Sequence, residues 1–194
     1  MSTNEPAKKE SVKQVTLTID GKEVQAPATA TVLEAAKAAG IHIPALCHNE
    51  KVKPYGACRV CMVEVQKGKR TRLVTSCCYP VEEGIVVTTN SEKIQKIRRL
   101  LAELMWPAAM PLALELGITG SRFHVPNGEC NLCGLCVRYC DEVKKDNVVY
   151  FEGRGIERQV AFTPGVRVEC RSCRQCFDLC TGGWIVNAAA KAYK

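Results

Sequence analysis

Thirteen cysteines stand among 194 residues, and the spacing of eight of them carries the first chemical reading. Cys130, Cys133, Cys136 and Cys140 form a C-x2-C-x2-C-x3-C run, and Cys170, Cys173, Cys176 and Cys180 repeat it 40 residues later. The preceding Glu129 and Glu169 repeat as well. Three thiolates three residues apart can wrap one turn of chain around three corners of a [4Fe-4S] cube, so the fourth corner is reached from elsewhere. In the two-cluster use of this spacing, the last cysteine of each run ligates the other cluster. The repeat therefore assigns Cys130, Cys133, Cys136 and Cys180 to one cube, cluster A, and Cys140, Cys170, Cys173 and Cys176 to a second, cluster B. Structural zinc fits such runs poorly, because zinc sites take two ligand pairs set a dozen or more residues apart.

A further set lies upstream. Cys47 is followed after ten residues by Cys58, after two by Cys61, and after fifteen by Cys77. The plant-type [2Fe-2S] pattern is C-x4-C-x2-C with a distant fourth cysteine, so only the first gap differs. Two irons bridged by two sulfides need four thiolates, and this set supplies them. Cys77 and its neighbour Cys78 compete for the fourth position. Gly56 would let backbone come close to the sulfides. His48, beside Cys47, is read as a neighbour of the ligands and not one of them, since it has no histidine partner at paired spacing. His42 and His124 carry no signal.

The elements that must position these residues can be read from periodicity. Residues 1–13 are polar and loose. Val15 to Ile19 alternates, Asp20-Gly21 is a hairpin turn, and Val24 to Ala26 returns. Thr31 and Glu34 have capping-box spacing ahead of an alanine-rich helix that Gly40 stops. After an irregular cysteine-bearing loop, Cys61 to Gln66, Leu73 to Ser76 and Ile85 to Thr89 read as strands, giving a small mixed sheet with one crossing helix over 14–90. From Ser91, a plausible cap, Ile94, Ile97, Leu100, Leu101 and Leu104 fall at helical spacing and are expected to pack into the core. Pro107 and Pro111 interrupt, leaving a short helix over Leu112 to Leu116 and a helical connector over 91–125. Residues 126–194 hold the repeated cysteine runs, a pseudo-two-fold unit with a hairpin insert from Val148 to Phe151 and Val160 to Phe162.

The remaining composition excludes several functions. The net charge is +7 and aromatic residues are only 6%, and the basic clusters at Lys67–Arg72 and Lys96–Arg99 carry no aromatic, so no nucleic-acid role is expected. No apolar run approaches the ~18 residues of a membrane span, and Met1 to Lys13 has no apolar core of a signal peptide. A cytoplasmic setting follows, in which cysteines serve metals and not disulfides. No G-x-G-x-x-G or G-x-x-x-x-G-K-[ST] loop is present, nor an acid–base or nucleophile–base constellation. No catalytic residue is assigned. One-electron centres without a substrate pocket make a wire.

The motifs also resemble a known group. Leu46-Cys47-His48, Gly56 to Glu64, Ser76 to Gly84, and Ser91 to Arg99 look like the N-terminal part of the large iron-sulfur subunit of respiratory complex I. They look still more like the small iron-sulfur subunit of NAD-reducing [NiFe] hydrogenases and related formate dehydrogenases, and Cys133 to Val143 continues the match. The resemblance implies an α+β chain: a plant-type [2Fe-2S] ferredoxin-like β-grasp domain, the helical connector, and a bacterial-type 2[4Fe-4S] ferredoxin-like domain. It implies Cys77 as the fourth [2Fe-2S] ligand, three residues before Pro80. It also implies partners: a flavin subunit carrying FMN and handling NAD(P)H, and a catalytic subunit of hydrogenase or formate dehydrogenase type, in an assembly that could be electron-bifurcating. One departure stands out. The group's His-plus-three-Cys [4Fe-4S] site is replaced by Trp106 to Leu112, with no cysteine between Cys78 and Cys130, so that cluster is expected to be missing and handover to a ferredoxin-type cube more direct. The rival readings are a free-standing polyferredoxin, which is usually acidic, and a succinate-dehydrogenase-type subunit, whose first cysteine gap is short.

Overall fold

The computed structural model describes residues 13–123, 130–163 and 169–192. The expected tail, His124 and Glu129 lie outside the described residues, as do the side chains of Glu169 and Arg171.

Alternation along the N-terminal segment produces strand β1 (Gln14–Ile19), which buries Val15, Leu17 and Ile19 on one face. Asp20 and Gly21 both take positive φ, 49° and 80°, as a tight turn between right-twisted strands requires. The chain returns as β2 (Lys22–Pro27), antiparallel to β1 with Ile19 opposite Lys22. Helix α1 (Val32–Ala38) follows, with the predicted box formed in both directions: Glu34 N–H donates to Thr31 Oγ1 at 3.3 Å, and Thr31 N–H donates to Glu34 Oε2 at 2.7 Å. Val32, Leu33, Ala35 and Ala36 of α1 face the sheet.

After the cysteine loop come β3 (Met62–Lys67), β4 (Arg70–Thr75) and β5 (Val86–Thr88). The five strands pair in the order β2-β1-β5-β3-β4. β5 runs parallel to β1, with Thr18 opposite Val86, and antiparallel to β3. A sheet of this order with α1 packed across it is the mixed sheet and crossing helix expected. Its core is aliphatic: Leu17, Ile19, Val32, Val63, Ile85 and Val87 are almost fully buried, each such side chain contributing about 1.5–3 kcal/mol by leaving water.

Ser91 caps α2 (Glu92–Leu104), accepting from Ile94 N–H at 3.3 Å. The apolar stripe divides here in a way that periodicity does not show. Ile94, Arg98 and Ala102 are the buried face, Ile97 and Leu101 are half-buried, and Leu100 and Leu104 are exposed. Arg98 takes the central buried place because it bonds to backbone carbonyls below the helix. Helix α3 (Met110–Glu115) starts earlier than expected, with Pro111 inside its first turn. Proline is tolerated there because its missing N–H would have no intrahelical acceptor. α3 packs Leu112 and Ala113 with Ile118, Ala102, Leu46 and Val60 in a second core.

The last region contains α4 (Leu135–Arg138) running into a π-helical turn over Tyr139–Lys144, then the hairpin of β6 (Val149–Glu152) and β7 (Gln159–Phe162). α5 (Glu169–Cys173), a 3-10 turn over Phe177–Leu179, and α6 (Trp184–Ala192) complete the described chain. Phe162 of β7 stacks on Trp184 of α6, with centroids 6.2 Å apart. Among the described residues no helix is long and apolar enough to cross a membrane.

Candidate iron-sulfur centres

All thirteen cysteines are free thiols. The first set comes together as two pairs. Cys47 sits in the loop before β3, and its sulfur accepts from Cys58 N–H at 3.4 Å. The Cys47 and Cys58 thiols also hydrogen-bond each other, as do those of Cys61 and Cys77. Within each pair the shared hydrogen bond pushes one ionisation down, at Cys58 and Cys61, and its partner up, at Cys47 and Cys77. Burial opposes charge on all four. Cys61 and Cys77 are locked by the chain: Ser76 Oγ donates to Cys61 O at 2.8 Å and Ser76 N–H to the same oxygen at 3.1 Å.

Cys77 is wholly buried in this arrangement, while Cys78 is exposed with its sulfur 3.6 Å from that of Cys77. Gly56 has φ +67°, and a Cβ there would lie 3.0 Å from Cys78 Sγ. The close approach Gly56 permits is therefore to Cys78. His48 lies apart, lining a polar groove with Glu34, Asn49 and Glu50, and burial pushes its ionisation down.

The eight remaining predicted cysteines line two hollows. One, of ≈ 340 Å³, is bounded by Cys140, Cys170, Cys173 and Cys176. The other, of ≈ 320 Å³, is bounded by Cys130, Cys133, Cys136 and Cys180. Each hollow thus takes three cysteines from one run and one from the other. Local chemistry sets these positions. Gly134 adopts φ +73° and abuts the Phe151 ring, which a Cβ would meet at 3.1 Å. Asn131 accepts from Cys133 N–H at 3.2 Å and donates to Thr181 at 2.8 Å, tying the first run to the residue after Cys180. Val148 N–H donates to the Cys140 sulfur at 3.3 Å.

Burial is the leading reason that five of these thiols, at Cys130, Cys133, Cys136, Cys170 and Cys176, resist ionising. It pushes Cys133 and Cys170 up to about 11 and Cys176 to about 12, and it raises Cys130 and Cys136 as well, with neighbouring thiolates adding repulsion. Thiols raised this far are ionised at neutral pH only by a bound cation, since a coordinated thiol is deprotonated outright. Among the described residues no three ligating side chains converge as around a single metal ion. The sulfurs ring a volume instead of meeting at a point. A cationic iron-sulfide core, four thiolates to a cluster, fits this donor set.

The three sets of cysteines lie close together. Cys58 is near enough that its charge raises Cys133, and Cys176 does the same to Cys136. Cys47, Cys133, Cys136, Cys140, Cys170 and Cys176 share one buried apolar cluster. The surroundings differ in charge. Lys144, Asp146 and Arg174 line the hollow around Cys140, whereas among the described residues no charged side chain lines the other hollow.

Two functional residues had no role assignable from sequence. Arg98 Nε donates to Val60 O and its Nη2 to Met62 O, both at 3.0 Å, gripping the chain on either side of Cys61 at the start of β3. Arg138, between Cys136 and Cys140, donates to Lys53 O at 2.5 Å and to Cys47 O at 2.6 Å. Arg98 lies in the helical Ser91 to Arg99 segment and Arg138 in the first cysteine run, but their acceptors are distant in sequence.

Comparison with known proteins places the chain among iron-sulfur proteins. The 2Fe-2S iron-sulfur cluster binding domain family matches residues 12–92. The NADPH-Fe(3+) oxidoreductase subunit alpha of Geobacter sulfurreducens is 33% identical over 91% of this chain and 24% of its own length. The NADP-reducing hydrogenase subunit HndD of Solidesulfovibrio fructosivorans is 31% identical over 91% of this chain and 36% of its own. The chain thus spans between a quarter and somewhat over a third of these curated relatives. A chain in the crystal structure of an NAD+-reducing [NiFe]-hydrogenase in the H2-reduced state superimposes with a TM-score of 0.70 and 30% identity, covering 78% of this chain and 76% of that one. The chain therefore belongs to the family of iron-sulfur electron-transfer subunits shared by NAD(P)-linked hydrogenases and complex I-type oxidoreductases.

Proposed function

We propose that this chain relays single electrons between a flavin subunit that handles NAD(P)H and a catalytic subunit of hydrogenase or formate dehydrogenase type, in the cytoplasm. The division into 14–90, 91–125 and 126–194 serves that relay. Cys47, Cys58, Cys61 and Cys77 would hold a [2Fe-2S] cluster, Cys130, Cys133, Cys136 and Cys180 cube A, and Cys140, Cys170, Cys173 and Cys176 cube B. Such clusters supply one-electron transfer without bond-making on a substrate. The chain's own residues orient the thiols through Ser76, Asn131 and the Val148 amide, and they exclude water with Phe151, Phe162 and Trp184.

The observation that carries the reading is the crossed lining of the two hollows, three cysteines from one run and one from the other. The adjacency of Cys58 to Cys133 supports direct passage from the first site into the hollow of cube A. A cytoplasmic setting is supported by thirteen cysteines all free, as a reducing compartment keeps them.

The test is anaerobic isolation from the native host at low salt, with flavin and metals assayed in whatever co-purifies. Flavin with nickel is expected for a hydrogenase partner, and flavin with molybdenum or tungsten for a formate dehydrogenase type. A brown chain emerging alone, and exchanging freely between enzymes, contradicts the docked subunit.

A further inference from the structure

Arg138 is the link between two of the three sites. It closes α4 between Cys136 and Cys140, is only 9% exposed, and reaches out of its own region into the Cys47 loop. One guanidinium nitrogen donates to Lys53 O and the other terminal nitrogen to Cys47 O, 85 and 91 residues away in sequence. The guanidinium carbon lies 4.8 Å from the centroid of the Tyr55 ring, in the same loop. From the following turn, Glu142 accepts from Lys53 N–H at 2.7 Å. The loop from Cys47 to Tyr55 is thus held at three places by residues that flank the third and fourth cysteines of the first run.

A planar fork that satisfies two carbonyls at once fixes orientation as well as distance, which a lysine ammonium cannot do. Two charge-assisted hydrogen bonds in a buried setting hold strongly, and each leaves an orphaned carbonyl if the donor is lost. We propose that Arg138 is a positioning residue that sets the gap between the [2Fe-2S] site and cube A, by clamping the backbone of Cys47 to the helix carrying Cys136. This rests on the iron-sulfur reading above. Arg98 grips the other side of the same site from α2, at Val60 and Met62, so among the described residues Arg138 is the guanidinium that ties it toward the repeated cysteines. Electron passage depends steeply on the gap, so a clamp at this point governs it.

The experiment compares the full chain with Arg138→Gln, Arg138→Lys and Tyr55→Leu. Amide hydrogen exchange over residues 47–55 is measured before iron and sulfide are added. Magnetic coupling between the reduced [2Fe-2S] centre and the neighbouring cube is measured by EPR after anaerobic reconstitution. The clamp predicts exchange about tenfold faster in both Arg138 variants, with weaker coupling at unchanged iron content and unchanged g-values of each cluster. Arg138→Lys does not rescue either readout, and Tyr55→Leu gives a smaller change of the same sign. Tyr55 is 43% exposed, so that variant and Arg138→Lys decide the matter if Arg138→Gln fails to fold. Unchanged exchange in folded variants overturns the proposal. Faster exchange with unchanged coupling overturns it too, because the loop would then be held without setting the gap. A wild-type chain that takes up no [2Fe-2S] cluster refutes the iron-sulfur reading instead, and exchange still judges the clamp.

Discussion

Adjacent cysteines at 77 and 78 meet opposite surroundings, and the difference decides their chemistry. Cys77 is wholly buried against Cys61, while Cys78 points to the exposed side and packs on Gly56. Cys77→Ser is expected to abolish the [2Fe-2S] visible and EPR signals, and Cys78→Ser to keep them; the two spectra check this directly. Charge acts at the same scale. Arg174 and Lys144 line the hollow assigned to cube B, where cation charge favours the more reduced, more negative state. Arg174→Gln is expected to lower that cube's potential by roughly 40 mV, about 1 kcal/mol for one electron, in a redox titration, leaving cube A nearly unmoved. The cysteines were legible from sequence because cluster ligation constrains local spacing. Arg98 and Arg138 were not, because their acceptors are carbonyls 38 and 91 residues distant, and no local pattern encodes a partner made by tertiary folding.

Elements were readable where a local rule operates alone. The Thr31 capping box, the Asp20-Gly21 turn and the Ser91 cap each depend on three or four neighbouring residues, and each forms. Thr31→Ala is expected to cost about 1 kcal/mol, measured as a shift in the urea midpoint of the chain without iron. Gly134→Ala is expected to cost more, about 1–3 kcal/mol, because φ is +73° and the added carbon meets Phe151; the same denaturation series ranks the two. Elements were less readable where packing outweighs propensity. α2 buries Arg98 in the middle of its apolar stripe and leaves Leu100 and Leu104 exposed, an outcome set by the carbonyls of β3 and its approach. α6 (Trp184–Ala192) is not among the elements read from periodicity. Its Ile185 is fully buried beside the cysteine runs, so tertiary contact supplies what the short segment lacks.

At the scale of the molecule, three buried clusters stand in sequence: the sheet with α1, the α2–α3 core beneath Leu46 and Val60, and the cysteine-lined region that includes Cys47. Cys47 and Cys58 stand at the junction, packed in the apolar cluster that holds the repeated cysteines, and under the proposed function this joining would make a relay out of separate sites. The mixed sheet and its crossing helix were foreseeable, as was the hairpin between the runs. The junction was not, since it depends on how one region seats against another. The central claim is that the chain holds one [2Fe-2S] and two [4Fe-4S] clusters with crossed ligands between the runs. The most direct measurement is iron content and Mössbauer spectroscopy of the anaerobically reconstituted chain beside its Cys140→Ser variant. The account predicts about ten irons in the wild type, with Cys140→Ser damaging the cube held by Cys170, Cys173 and Cys176 and sparing the cube held by Cys130, Cys133, Cys136 and Cys180. Loss of the cube bound by Cys130, Cys133 and Cys136 instead, or a colourless chain that takes up zinc alone, would contradict it.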